Sequence, residues 1–140
     1  MSFPTKILST IWPAALWSAL IFVLLCLPGS VFPSEEVFHI PNLDKIIHII
    51  LFGCFVWLWA MYYRYNETEK KSTLIKLVIL SCAYGIAMEF IQKYFIPNRS
   101  FEIRDIMADC SGAIITGIIL RATKKLAPIE IGDATKTNCL

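Results

Sequence analysis

Long apolar stretches separated by short polar connections occur four times along the chain. A helix needs about 20 mostly apolar residues to cross a bilayer whose hydrocarbon core is roughly 30 Å thick. Four segments meet this requirement, at about residues 7–27, 46–63, 74–96 and 105–122. We therefore predict an all-α, polytopic membrane protein with four transmembrane helices.

The first and fourth segments each contain residues that are unusual in a membrane. The first includes Pro13, which a spanning helix tolerates. Its apolar run is longer than the roughly 7–15 residues of a cleaved signal peptide, so we expect the segment to be retained. The fourth includes Asp105 and Asp109, but its stretch 114–120 is strongly apolar. We interpret both segments as spans.

The composition agrees with this prediction. Hydrophobic residues make up 56% of the 140-residue chain and charged residues only 17%, against roughly 25% charged in an average soluble domain. A small soluble domain has a large surface for its volume and needs more polar residues than this chain has. The net charge is only +2, so we expect no nucleic-acid partner.

The placement of lysine and arginine predicts the orientation, because cytoplasmic loops carry an excess of these residues. Nine of them lie before the first segment, around the second connection or after the last segment, and four lie on the opposite side. Both termini are therefore predicted in the cytoplasm, with residues 28–44 and 93–104 outside. Residues 1–125 then form one membrane domain, and residues 126–140 a flexible cytoplasmic tail.

The few polar residues of the last three segments converge at one depth. Ionisable groups inside a membrane are costly and indicate function by default. A spacing of three or four residues places two side chains on one face of a helix. Each of these helices carries such a pair near its outer end, and the pairs are Asp44 with His48, Glu89 with Gln92, and Asp105 with Asp109. Arg99, in the outer connection, is expected to reach them.

These residues also have simpler structural interpretations. We expect Asn42 to cap the second helix, with Asp44 in its first turn. Asp44 and Asp105 are also suited to stabilise helix N-termini through the helix dipole. His48 fits an ordinary interhelical hydrogen bond. The remaining residues of the cluster fit a purely structural network, and they are Glu89, Gln92, Arg99 and Asp109.

Small residues in the third and fourth predicted helices indicate a close helix contact. Glycine and alanine let two backbones approach in a membrane, where packing and hydrogen bonds hold helices together. The residues concerned are Gly85, Gly112, Gly117, Ala108 and Ala113. We therefore predict that the third and fourth helices pair tightly.

Three motifs contain these polar residues in a set order. They are Asp44-Lys45-x-x-His48, Tyr84-Gly85-x3-Glu89-x2-Gln92 and Arg99-Ser100-Phe101-x3-Asp105-x2-Ala108-Asp109-x2-Gly112. Together they resemble the VanZ-like family of small integral membrane proteins, over about residues 44–120. Asparagine is expected at the position of Asp109 in much of the family. We expect the extra carboxylate of this chain to make the site more acidic or better suited to a cation.

The resemblance implies a bacterial envelope protein. With the predicted spans and orientation, we expect a multi-pass protein of the bacterial cytoplasmic (inner) membrane whose polar cluster faces the outside of the cell. The resemblance also implies a link to antibiotic resistance, specifically to the glycopeptide teicoplanin. The matched motif positions become the candidate ligand-binding residues, and these are Asp44, His48, Glu89, Gln92, Arg99, Asp105 and Asp109.

Three functions remain open at this point. In the first, a cell-envelope protein binds an amphiphilic ligand, such as a membrane lipid headgroup, a lipid-linked cell-wall precursor or a lipoglycopeptide. In the second, the protein is an enzyme acting on a lipid-linked substrate. Asp44 then orients His48 as the general base, and Glu89 or Asp109 is the acid. In the third, the protein is a structural or accessory membrane subunit.

A divalent metal is the one cofactor that the residues suggest, and it belongs to the second hypothesis. An oxygen-rich set with one imidazole suits Mg²⁺ or Mn²⁺, which would polarise a phosphate group. The residues of this set are His48, Glu89, Asp105 and Asp109. The five cysteines contain no C-x-x-C pair, and the chain has no nucleotide-binding motif, so no other cofactor is expected.

Overall fold

A computed structural model describes residues 7–28, 42–66, 71–97 and 99–126 of the chain. The regular structure in these ranges is entirely helical, which confirms the all-α prediction. Its four helices are α1 (Trp12–Leu25), α2 (Leu43–Tyr65), α3 (Lys71–Phe95) and α4 (Ile103–Leu126). The predicted tail after residue 126 and most of the predicted outer segment 28–44 lie outside the described ranges.

Within the described ranges, α2, α3 and α4 are long and apolar enough to cross a membrane. All three helices begin a few residues earlier than predicted. In α2 and α4 the reason is that the polar first turn is helical too. Asp44 lies in the first turn of α2 and Asp105 in the first turn of α4. These positions were both predicted, and they suit the positive end of a helix dipole.

The first helix differs from the prediction. The expected helix of residues 7–27 with Pro13 inside it is wrong, because α1 begins at Trp12 and Pro13 lies in its first turn. A proline inside a helix loses a hydrogen bond and its ring clashes with the carbonyl four residues earlier, whereas the first turn tolerates it. The 14 residues of α1 extend about 21 Å. A fourth membrane crossing therefore stays a prediction.

The helices α2 and α4 run parallel, and their backbones come very close. A Cβ added at Gly112 of α4 would collide with the carbonyl oxygen of Ile49 in α2, and it would lie 2.9 Å from the carbonyl carbon. Gly53 of α2 likewise faces α4, where its Cβ would lie 2.9 Å from Thr116 Oγ1. Glycine permits this approach because it has no side chain to separate the backbones.

The predicted tight pairing of α3 with α4 is therefore only part of the arrangement. Gly85 and Gly117 do lie at this contact, since their added Cβ atoms would meet Asp109 and Val78. Gly112, which was assigned to the same contact, faces α2 instead. Helical periodicity shows which residues share a face, but it does not show which neighbour covers that face.

The helix α1 packs against α2 and α3 through side chains that donate to backbone carbonyls. Trp17 Nε1 of α1 donates to the carbonyl of Leu51 at 3.0 Å. The hydroxyl of Tyr84 in α3 donates to the carbonyl of Ser18 at 2.9 Å. The buried apolar core lies where these helices meet, and it includes Ile21, Leu25, Phe52, Phe55, Val56, Met88 and Ala113.

Candidate functional site

A buried histidine–carboxylate pair lies between the first halves of α2 and α4. His48 Nδ1 is 2.8 Å from Asp109 Oδ1, and the two residues are 4% and 1% exposed. The sequence-based hypothesis had Asp44 orienting His48, but the ring contacts Asp109 instead. Asp44 pairs with its neighbour Lys45. Position 109 therefore carries the carboxylate that sets the orientation of the imidazole.

Gly85 of α3 makes room for this pair. A Cβ at Gly85 would lie 2.9 Å from Asp109 Cβ and 3.0 Å from Cγ, and closer still to Oδ2. This Oδ2 atom is buried and has no hydrogen-bond partner among the described residues. A buried polar atom of this kind requires an explanation, because nearly all such atoms in native proteins are paired.

Closer to the end of the bundle lies a second group, which we call the acidic rim and define as Asp44, Lys45, Glu102 and Asp105. Lys45 Nζ pairs with Asp44 Oδ2 and lies 3.0 Å from Asp105 Oδ1 and 3.3 Å from Glu102 Oε2. The side chains of Asp44 and Glu102 are 45% and 48% exposed, whereas that of Asp105 is only 7% exposed. The rim thus connects the protein surface with a buried carboxylate.

The sequence analysis missed two members of the rim. Lys45 was counted only as a charge that sets orientation, although it lies inside the Asp44-Lys45-x-x-His48 motif. Glu102 precedes α4, and nothing in the sequence marked it as a candidate site residue, because a carboxylate at the end of a connection is usually solvated. The sequence did contain one indication that Lys45 belongs to the site. It lies three residues before His48, so the two side chains share a helix face.

Glu89 and Gln92 are both buried at 1% exposure, but they have different partners. Glu89 Oε2 accepts a hydrogen bond of 2.9 Å from the backbone N–H of Glu102, which ties α3 to the start of α4. Glu89 also interacts electrostatically with His48 and Asp109. Gln92 Nε2 instead donates to the carbonyl of Leu25 at 2.9 Å, at the end of α1. Gln92 therefore binds α1, whereas Glu89 belongs to the cluster.

Two further predicted residues lie at the same end of the bundle. Asn42 precedes α2 with φ 57°, in the left-handed region that asparagine adopts more readily than most residues. Asn42 takes the predicted N-cap position of α2, where its carbonyl accepts hydrogen bonds from the backbone N–H groups of Lys45 and Ile46. Its side chain makes no capping hydrogen bond within the described residues. Arg99 is half-buried in the connection between α3 and α4. Its predicted approach to the acids of the cluster stays a prediction.

The carboxylates that come together most closely are those of the rim. In the described ranges, one oxygen each of Asp44, Glu102 and Asp105 lies within 4.8 Å of the others. This is not the set that the sequence suggested for a metal, which contained His48 and Asp109. The ammonium group of Lys45 occupies this position and supplies the positive charge that balances the three carboxylates.

The fold and this cluster define a class of protein. Long apolar helices that enclose a buried histidine, three buried acids and a buried amide are typical of a polytopic membrane protein with an intramembrane polar site. Residues 3–124 match the family model VanZ/LLP1, and the chain belongs to that family. This confirms the resemblance found in the sequence motifs. Comparisons with curated proteins and with solved structures gave no match.

Proposed function

We propose that this chain is a bacterial cell-envelope protein that binds an amphiphilic or lipid-linked ligand at the polar cluster of α2, α3 and α4. The observation that carries this proposal is the buried Oδ2 atom of Asp109, which has no hydrogen-bond partner among the described residues. Leaving such an atom unpaired costs about 1–3 kcal/mol. The other oxygen of Asp109 already holds His48, so Oδ2 is the part of this carboxyl that is left to bind a ligand.

An apolar groove supports an amphiphilic ligand. It has a volume of about 830 Å³ and lies between α1, α2 and α3, where Phe22, Phe55, Trp59 and Tyr84 are among its lining residues. Packed aromatic rings lie between this groove and the cluster. The ring of Phe52 lies 5.9 Å from that of Tyr84 and stacks on His48 at 6.5 Å, measured between centroids. The groove suits the apolar chain of a ligand whose polar part binds at the cluster.

Family membership supports a role in teicoplanin resistance, which a susceptibility assay tests. Wild type, Asp109→Asn and Glu89→Gln are expressed in a teicoplanin-susceptible bacterium, and the inhibitory concentration is measured at equal membrane abundance. We expect wild type to raise this concentration and both variants to lose most of the increase, because each replaces a buried carboxyl group of the cluster with an amide. Ser111→Ala is the control, since Ser111 is exposed on α4 and bonds within its own helix.

The outcome separates resistance from a structural role. If wild type does not change susceptibility, the proposed role in resistance is wrong. If the two variants protect as well as wild type does, the cluster is not the site responsible. Membrane abundance is measured because a variant that fails to fold would otherwise imitate a loss of function.

The His48–Asp109 contact favours a second candidate, an enzyme acting on a lipid-linked substrate. A carboxylate on Nδ1 holds the imidazole in one orientation and leaves Nε2 to exchange a proton with a substrate. The test is turnover of lipid phosphates in nanodiscs, with and without Mg²⁺ or Mn²⁺. Turnover that His48→Gln abolishes supports an enzyme, whereas no turnover with either metal rejects this candidate.

A further inference from the structure

A second apolar groove lies on the outer surface of the bundle, between α3 and α4, and we call it the α3–α4 groove. It has a volume of about 200 Å³, and its lining includes Val78, Ile79, Ile114, Gly117 and Ile118. Gly117 has no side chain to fill it, and a Cβ at this position would lie 2.9 Å from Val78 Cγ2. Ile79 and Ile118 are each 63% exposed. The groove therefore faces the surroundings of the bundle and not its core.

Positive charge marks one end of the α3–α4 groove. Arg121 lines this end together with Ile75, and the neighbouring Lys76 of α3 is exposed, as is Arg121 itself. The apolar spans of α3 and α4 are Ser72–Phe95 and Ile103–Thr123, so both basic residues lie close to the same end of these spans. Long basic side chains at such positions keep their stems on apolar surface and extend their charged ends to the lipid headgroups.

No carboxylate in the described part of the chain lies near this basic end. The described acids are Asp44, Glu89, Glu102, Asp105 and Asp109, and they lie in the opposite half of the bundle. Asp109 is the acid of α4 that comes nearest in sequence to the basic end, and twelve residues of helix separate it from the arginine by about 18 Å. The described residues therefore leave this positive charge without a balancing anion.

The length of the α3–α4 groove suits an acyl chain. Ile114 and Arg121 are seven residues apart, which corresponds to about 10 Å along α4. The hydrocarbon of one leaflet is about 15 Å thick, half of the bilayer core. An acyl chain whose headgroup lies at Arg121 would thus follow the groove through most of its leaflet. The isoleucine side chains on both sides would contact it along this length.

A second copy of the chain fits this groove less well than a phospholipid does. Two copies in one membrane have the same orientation, so their Arg121 residues lie at the same depth. A two-fold interface places the same surface of both copies face to face, which brings these like charges close together, and like charges across an interface are unfavourable. A lipid with a negative headgroup complements the charge instead.

We infer that the α3–α4 groove is a binding site for an anionic phospholipid. Its phosphate pairs with Arg121, whose guanidinium group can donate two parallel hydrogen bonds to phosphate oxygens, and its acyl chain lies along Ile79 and Ile118. The orientation predicted from the sequence puts this end in the cytoplasmic leaflet, where basic pockets between helices bind anionic headgroups. The inference goes beyond the proposed function, because the groove lies at the other end of the bundle from the polar cluster.

The experiment compares two phospholipids that have identical acyl chains, phosphatidylglycerol and phosphatidylcholine. The full-length protein in detergent micelles is titrated with each lipid, and bound lipid is counted by native mass spectrometry. Both lipids carry a phosphate, but the choline group neutralises the charge of phosphatidylcholine. We expect wild type to bind phosphatidylglycerol at least about fivefold more tightly, the effect of one basic residue near a membrane surface.

Two arginine variants locate this preference. Arg121→Gln should reduce the preference for phosphatidylglycerol by about threefold or more. Arg104→Gln is the matched control and should retain the preference, because Arg104 is exposed at the opposite end of α4. Each variant removes one positive charge from the same helix, so a difference between them does not come from net charge.

Two isoleucine variants test the position of the acyl chain. Ile118→Trp fills part of the groove and should weaken the binding of phosphatidylglycerol by about threefold or more. Ile119→Trp is its control, since Ile119 is 54% exposed and does not line the groove. It should bind this lipid as wild type does. Both positions are exposed on α4, so the larger ring does not enter the core.

Three results would overturn the inference. The first is equal affinity for the two lipids, and the second is an equal loss of preference in Arg121→Gln and Arg104→Gln, which would indicate a general attraction to the whole protein. The third is a dimer in the same spectra that Ile118→Trp dissociates and Ile119→Trp does not, because a second copy then covers the groove. The susceptibility assay tests the polar cluster separately, so a failure here leaves its result unchanged.

Discussion

Gly85→Ala tests whether the shape of α3 positions the histidine–carboxylate pair. The new methyl group would lie 2.9 Å from Asp109 Cβ, whereas ordinary Cβ contacts begin at 3.4 Å. Asp109 must therefore move by about 0.5 Å at Cβ, and by more at Oδ2, which the methyl group approaches more closely. A displacement of this size disturbs the geometry of the 2.8 Å contact with His48 Nδ1 and weakens it.

The expected cost follows from two contributions. Adding a methyl group to a packed interior costs about 1–3 kcal/mol, and a hydrogen bond to a charged group contributes about 1.5–3 kcal/mol. The contributions overlap because one displacement causes both. We therefore expect Gly85→Ala to lower the free energy of unfolding by about 2–4 kcal/mol, as measured by titration with sodium dodecyl sulfate from mild detergent micelles.

A matched control and a double-variant cycle isolate the contact. Gly117→Ala places its Cβ 2.9 Å from Val78 Cγ2, at an apolar groove that both residues line. The open space beside this contact lets the two helices adjust, so the substitution should cost about 1 kcal/mol, the lower end of the range for overpacking. Asp109→Ala keeps Cβ but removes Cγ and Oδ2, and Oδ2 is the atom that conflicts most with a methyl group at position 85. In that background Gly85→Ala should cost at least about 1 kcal/mol less than in wild type.

The ring of His48 gives a second measurement. The chain has two histidines, so His39→Gln leaves His48 as the single imidazole in a nitrogen-15 spectrum. Gly85→Ala should change the chemical shift of Nδ1, and Gly117→Ala should not. Equal costs of Gly85→Ala in the wild-type and Asp109→Ala backgrounds, together with an unchanged Nδ1 shift, would refute the positioning role of Gly85.

Two further predictions concern the packing of the bundle. Gly112→Ala should lower the free energy of unfolding by about 3 kcal/mol or more, since its methyl group meets the backbone of Ile49, which no rotamer change relieves; a cost below that of Gly117→Ala in the same titration would contradict this. Gln92→Leu removes the hydrogen bond to the carbonyl of Leu25 and should cost about 1 kcal/mol. Amide hydrogen exchange should then become faster in α1 but not in α4, and equal changes in both helices would argue against it.

Much of the fold could be predicted from the sequence. The lengths of the apolar segments predicted α2, α3 and α4, because a helix that crosses a bilayer must be both long and apolar. Pairs of polar residues spaced three or four apart identified buried members of the cluster, including His48, Glu89 and Asp109. Their burial was expected from the cost of ionisable groups in hydrocarbon, which leaves few such residues without a purpose.

Only the tertiary structure decided which of these residues meet. Spacing along one helix places Asp44 and His48 on a common face, but the partner of His48 is Asp109, from a different helix. The same holds for Lys45 and Glu102, which form the rim because α2 and α4 begin side by side. Gln92 was grouped with Glu89 and instead binds the end of α1.

The division between sequence and structure has one physical cause. Hydrophobic length and helical periodicity are local properties, and they determine which segments become helices and which side chains share a face. The choice of neighbour depends on how closely two backbones can approach. In this protein that choice depends on glycines such as Gly112, whose contact with Ile49 brings α2 against α4, and Gly85, which lets the Asp109 side chain reach His48.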